Sequence, residues 1–177
     1  MKKRVVFTGG PGSGKTTVID CLREQGYRCT NEVGRKKIQE QVDKGGNALP
    51  WWDKVAFRDE MVREEIENFR RHIDAEEFVF FDRGIIDAYG YSELEGIPIS
   101  DELLEYCSVL EYSSQVFIFP PWESIFLNDA ERKQNFSEAI ATYQAMIGAY
   151  KKFGYSLVEV PKASVLERVN FVLASVN

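Results

Sequence analysis

Gly9-Gly10-Pro11-Gly12-Ser13-Gly14-Lys15-Thr16-Thr17 follows directly on the β-branched and aromatic run Val5-Val6-Phe7-Thr8. Residues 9–16 fit the pattern G-x-x-x-x-G-K-[ST], with a strand pattern before it and a helical pattern over 16–25 after it, as a phosphate-binding loop requires. The glycines let successive backbone N–H groups turn inward without Cβ clashes, and the helix N-terminus that follows adds partial positive charge, so the loop is an anion nest. Gly10, Pro11, Gly12, Ser13, Gly14, Lys15, Thr16 and Thr17 are the expected contacts to a nucleoside triphosphate. Lys15 is the residue to reach the β- and γ-phosphates, and Thr16 carries the hydroxyl expected on Mg²⁺.

Outward from this loop, short apolar runs alternate with helical periodicity. Strands are expected at residues 5–8, 27–30, 78–81, 115–119 and 156–160. A helix opening at Asn31 or Glu32 is stopped by Gly45-Gly46. Val55, Val62, Ile66, Phe69 and Ile73 recur at three-, four- and seven-residue steps and mark a long amphipathic helix over 52–73. Helices are further expected over 85–94 and 101–110, then a helix, loop and helix to about 153, and a last helix opened by the capping-box pair Ser164 and Glu167. Such alternation implies right-handed crossovers and a parallel sheet covered by helices on both faces, with ligands at the C-terminal ends of the strands. Glu32, Asp82-Arg83 and Pro120-Pro121-Trp122 each fall just after a strand, beside the glycine-rich loop.

The 177 residues, 44% hydrophobic and 28% charged, describe one globular domain without linkers or repeats. A formal charge of −6 argues against a general nucleic-acid binder, which needs a basic face to displace counterions. No apolar run approaches the length of a membrane span. Cys21, Cys29 and Cys107 are odd in number and lack the paired spacing of a zinc site, which favours reduced, structural thiols and a cytoplasmic protein. His72, the single histidine, falls on the polar side of the long helix.

A second acid is needed near the metal, at the tip of a buried strand. FVFFD places Asp82 there, whereas the strand ending FIFPP offers no carboxylate. The alternative for Asp82 is pairing with Arg83 or capping the next helix.

With the glycine-rich loop at the start, the FDRG segment resembles the Asp-Arg signature of the thymidylate kinase and deoxynucleoside kinase group. NEVGR, FDRGIID, FIFPPW, NDAER and YKKFGYSLVEVP, as an ordered set, resemble the AAA-type P-loop ATPase family that includes the kinase domain of bacterial nicotinamide riboside kinases. The resemblance implies a P-loop NTPase fold of three α/β/α layers, with a five-stranded parallel sheet in the order 2-3-1-4-5 and a helical lid at about 124–140. It implies ATP and Mg²⁺ as cofactors and a small-molecule phosphoryl acceptor as partner. It places Glu32 toward the acceptor, as a proton acceptor or positioning group, where the plainer alternative is an ordinary helix-start acid. It sets Arg83 near the transferred phosphoryl group and Arg132, with Lys133 behind it, on the lid. Arg35 either pairs with Glu32 or contacts substrate.

Candidates to stack on an acceptor ring are Trp51, Trp52, Phe57, Tyr89, Tyr91 and Trp122, and Asp53 or Asp87 could bond sugar hydroxyls. The activity implied is a Mg-dependent kinase acting on a nucleoside, nucleotide or ribosyl-type compound such as nicotinamide riboside. The alternatives are an NTP-hydrolysing switch and a nucleotide sensor acting through a protein partner.

Overall fold

In a computed structural model, describing residues 2–126 and 135–176, a five-stranded sheet has the order β2-β3-β1-β4-β5. The elements run β1 (Arg4–Gly9), α1 (Lys15–Glu24), β2 (Arg28–Cys29), α2 (Val33–Asp43), α3 (Lys54–Arg71), β3 (Val79–Asp82), α4 (Ile85–Glu95), α5 (Asp101–Val109), β4 (Gln115–Phe119), a short 3-10 turn (Glu123–Ile125), α6 (Phe136–Lys152), β5 (Ser156–Glu159) and α7 (Val165–Val176). Every ladder is parallel. The sheet order and the alternation are those expected.

The three inner strands are apolar on both faces, so each face needs a helical cover. On one side, α1 and α7 enclose Val5, Phe7, Phe80, Phe117 and Phe119. On the other, α3 to α6 bury Val6, Phe81, Val116 and Ile118. Register sets Phe7 level with both Asp82 and Phe117, so the ends of β1, β3 and β4 stop at one rim, and the glycine-rich loop crosses it.

Local chemistry explains the helix starts. Ala56 N–H donates to Asp53 Oδ1 at 2.9 Å, which caps α3. Asn135 and Glu138 exchange hydrogen bonds as a capping box for α6, and Ser164 and Glu167 do the same for α7 as expected.

The buried stripe of α3 differs from the expected one. Val55 and Ile73 are exposed, while Phe57, Arg58, Glu65, Ile66 and Phe69 are buried. Arg58 occupies the stripe because its guanidinium is satisfied there, donating to Ser92 Oγ at 2.8 Å and to the Pro98 carbonyl at 2.9 Å. His72 lies just past this helix and is half-buried, not on a polar face; its ring meets Phe81 edge-on at 5.6 Å. The three cysteines are free thiols. Among the described residues, no helix is long and apolar enough to cross a membrane.

Of the segment expected as a lid, residues 127–134, with Arg132 and Lys133, lie outside the described residues. Its flanks are the 3-10 turn and the start of α6, where Phe126 and Phe136 meet edge-on at 5.4 Å.

Candidate active site

The loop between β1 and α1 wraps its own lysine. Lys15 is buried, and its Nζ donates to the Gly10 carbonyl at 2.7 Å, to Ser13 Oγ at 3.1 Å and to the Gly9 carbonyl at 3.3 Å. Gly14, the residue before α1, has φ of 81°, a left-handed conformation that a side chain disfavours. At Gly10 the constraint is space: a Cβ there would lie 2.3 Å from the Ala139 carbonyl oxygen of α6. Gly10→Ala is therefore expected to lower unfolding free energy by about 1–3 kcal/mol by overpacking, measured as a shifted urea midpoint at unchanged slope.

Asp82 ends β3 beside this loop and is 3% exposed. Its backbone N–H donates to Thr30 Oγ1 at 3.0 Å. Its Oδ1 has no hydrogen-bond partner among the described residues, a costly state for a buried carboxylate oxygen. Burial pushes the carboxyl above its usual range, while Lys15 and Arg83 pull the other way. Asp82 and Thr16 line one cleft of about 330 Å³. Among the described residues no group of three or more His, Cys, Asp or Glu could hold a metal by itself. A hydroxyl and one orphaned carboxylate suit Mg²⁺, which keeps waters and shares its coordination with phosphate oxygens.

Arg83 follows in the left-handed conformation, φ 75°, the single non-glycine residue with positive φ among the described residues. Such strain persists where surroundings over-determine it. Here the surroundings are Asp87 and the end of β1. Arg83 N–H donates to the Phe7 carbonyl at 2.9 Å, and its Nη1 donates to the Gly9 carbonyl at 3.1 Å and Asp87 Oδ1 at 2.9 Å. Its Nε faces Glu32 Oε1 at 3.4 Å.

Asp87 does not face a sugar-sized space with open valences. Its Oδ1 also accepts from Thr8 Oγ1 at 2.7 Å, and its Oδ2 accepts from Tyr150 at 2.6 Å and from Gly84 N–H at 3.2 Å. Both oxygens are saturated, and the carboxylate acts as the anchor of Arg83. Asp53, the other candidate for sugar hydroxyls, caps α3 instead.

Glu32 is the N-terminal cap residue of α2, yet its side chain makes no capping hydrogen bond and turns to Arg83. It borders two further clefts of about 350 Å³ each, together with Pro11 and Arg35. The first runs over the glycine-rich loop to Ile125, Phe126, Val165 and Arg168. The second is walled by α2, α3 and α4 and presents Trp51, Phe57, Met61 and Tyr91.

The aromatic candidates separate accordingly. Phe57 and Tyr91 meet edge-on at 5.8 Å in the second cleft, and Trp51 borders it. Tyr89 belongs to the core and packs on Phe153, Trp52 is 74% exposed, and Trp122 lies under the Arg168 guanidinium at 5.5 Å.

Two site residues were not anticipated from the sequence. Arg168 of α7 is 4% exposed and directs Nη1 at the Ser13 and Gly14 carbonyls, both at 3.4 Å, so it braces the loop at the border of the first cleft. Desolvation lowers its pKa. Glu65 of α3 is 4% exposed and lines the aromatic cleft. Burial, then the charges of Asp87 and Asp82, push its carboxyl well above the usual range. In each case the signal was a charged side chain on an apolar helix stripe: Arg168 beside Val165, Val169 and Val172, and Glu65 in phase with Val62 and Phe69.

A parallel sheet in this order with a phosphate-binding loop after its central strand defines the P-loop NTPase fold. The chain belongs to an AAA-domain family, whose model matches residues 4–168. No curated protein matches it by sequence. Among solved structures it is similar to deoxyadenosine kinase from M. mycoides with dCMP and dCDP bound, at 14% identity and TM-score 0.72 over 98% of both chains. NadR protein in complex with NR is similar at 17% identity and TM-score 0.72; the match covers 99% of this chain and half (50%) of that one. Thymidylate kinase from Candida albicans is similar at 13% identity and TM-score 0.69, over 99% of this chain and 91% of that one.

Proposed function

We propose that this protein is a Mg-dependent kinase that transfers the γ-phosphoryl group of ATP to a hydroxyl of a small nucleoside, nucleotide or ribosyl-type acceptor. The observation that carries this reading is the meeting of two clefts, one over the phosphate loop and one lined by aromatic side chains, with Glu32 and Arg35 bordering both. A nucleotide switch needs the first cleft and an ordered water; the second gives room for an organic acceptor. The kinases named among the similar folds, and the NR-bound NadR protein, support the same class of reaction.

In this reading the triphosphate lies along residues 10–17, with backbone N–H groups and Lys15 on its β- and γ-phosphates. Thr16 and Asp82 would hold Mg²⁺, which when bound supplies neutralisation of the phosphate charge. Arg83, fixed by Asp87, presents its guanidinium toward the oxygens of the transferred group. Glu32 takes the acceptor's hydroxyl proton as the oxygen attacks the γ-phosphorus and the bond to the β,γ-bridging oxygen breaks. ADP leaves with that oxygen. The two binding sites bring the reactants together, which is most of what a phosphoryl-transfer enzyme must do.

Glu32→Gln tests the assignment. It retains size and removes the proton acceptor, so acceptor-dependent ADP release is expected to fall by about a hundredfold, with nucleotide affinity changed less than about twofold. An unchanged rate in this variant removes Glu32 from the chemistry.

A further inference from the structure

The aromatic cleft contains two polar groups that the phosphoryl-transfer chemistry does not use. Glu65 makes no hydrogen bond or ion pair among the described residues, although it is 4% exposed. The Tyr91 hydroxyl is buried and has no hydrogen-bond partner among the described residues. Both residues line the same cleft, and Phe57, Met61 and Trp51 form apolar walls around them. Buried polar groups are costly to leave unpaired, and a site that does so rejects any ligand that fails to pair them.

Charge narrows the ligand further. Lys54 of this cleft is bonded to Glu95, and Arg83 to Asp87. Leaving Glu65 aside, the whole lining carries the carboxylates of Glu32, Asp87, Glu95 and Glu138 against the cations of Arg35, Lys54 and Arg83. A cleft with more carboxylates than cations disfavours a phosphate dianion and suits an uncharged or cationic ring.

Resting on the kinase reading above, we infer that Glu65 and Tyr91 are specificity-determining residues that pair with a hydrogen-bond donor or positive charge on the acceptor's ring. The acceptor is an unphosphorylated, ring-bearing hydroxyl compound and not a monophosphate. The ring lies between Trp51 and the Phe57–Tyr91 pair. Its hydroxyl points to Glu32, and its polar edge reaches Glu65.

The test is calorimetric titration of the intact protein with adenosine, thymidine, deoxycytidine and nicotinamide riboside, each beside its 5′-monophosphate. At least one unphosphorylated compound is expected to bind about tenfold or more tighter than its monophosphate. Glu65→Gln, which is isosteric and removes the carboxyl group, is expected to weaken that compound about tenfold, and Tyr91→Phe by about threefold to fivefold. Affinity for ATP should stay within about twofold in both variants, which separates loss of a specific contact from loss of folding.

Monophosphates binding as tightly as their parent compounds overturn the inference, as does no binding across the panel. Variants whose acceptor affinity stays within about twofold of wild type overturn it too. The two readings fail separately. A compound bound in the expected pattern but never phosphorylated removes the kinase activity and leaves this pocket assignment. Efficient phosphorylation of a monophosphate does the reverse.

Discussion

Lys15→Ala is expected to lower acceptor-dependent phosphoryl transfer by about a thousandfold, the range seen when one preorganised charge-stabilising donor is removed from a water-poor site. The ammonium is held by the Gly9 and Gly10 carbonyls and Ser13 Oγ, inside the loop to which the proposed mechanism assigns the β- and γ-phosphates. Its removal also takes one donor from each of these carbonyls, leaving Arg83 Nη1 on Gly9 and Ser13 Oγ on Gly10. The loss should therefore fall on both nucleotide affinity and kcat. Steady-state ADP release with varied ATP, beside equilibrium binding of ADP, separates the two contributions. Full activity in Lys15→Ala would remove the loop from the chemistry.

Asp87→Ala is expected to be the most disruptive single change outside the phosphate loop. The carboxylate accepts from Arg83, Thr8, Tyr150 and Gly84. Truncation leaves the Arg83 guanidinium without its main counter-charge beneath the strand ends, and removal of one partner from such a buried pair costs about 3–5 kcal/mol. At about 2–4 °C per kcal/mol for a domain of this size, the midpoint of thermal unfolding should fall by about 10 °C. Activity should drop further than stability explains, because Arg83 then loses the contact that sets its direction. Differential scanning calorimetry measures the first effect, and ADP release well below the new midpoint measures the second. A midpoint within about 2 °C of wild type would contradict the anchoring role given to Asp87.

Much of the fold was legible in the sequence because its signals are local. The phosphate loop depends on spacing within nine residues, and the three inner strands are short apolar runs closed by Gly, Asp or Pro. The capping pair Ser164 and Glu167 likewise acts within one turn. Sheet order required the family resemblance, since strand neighbours are set by crossovers and not by composition.

The site was legible only where a residue's neighbours in sequence carry the role. Asp82 and Glu32 stand at strand ends, and the structure brings both to the rim with Lys15. Asp87 looked like a sugar contact because nothing local shows that Thr8 and Tyr150, distant in the chain, converge on it. Arg168 and Glu65 were hidden for a related reason. A charge on an apolar stripe is visible in sequence, but what it faces depends on tertiary packing: the carbonyls of the phosphate loop for Arg168 and the aromatic cleft for Glu65. The same packing sent Tyr89 into the core while leaving Tyr91, two residues on, at the cleft wall.

The central claim is that the γ-phosphoryl group goes to an organic hydroxyl and not to water. The direct measurement is turnover of magnesium ATP in heavy-oxygen water with the unphosphorylated acceptor panel, followed by mass spectrometry of every phosphate-bearing product. The account predicts an acceptor heavier by one phosphoryl group, with no heavy oxygen in that group, formed in step with ADP. ADP accompanied by free phosphate carrying solvent oxygen, with no phosphorylated acceptor, would contradict it and make the protein a hydrolase.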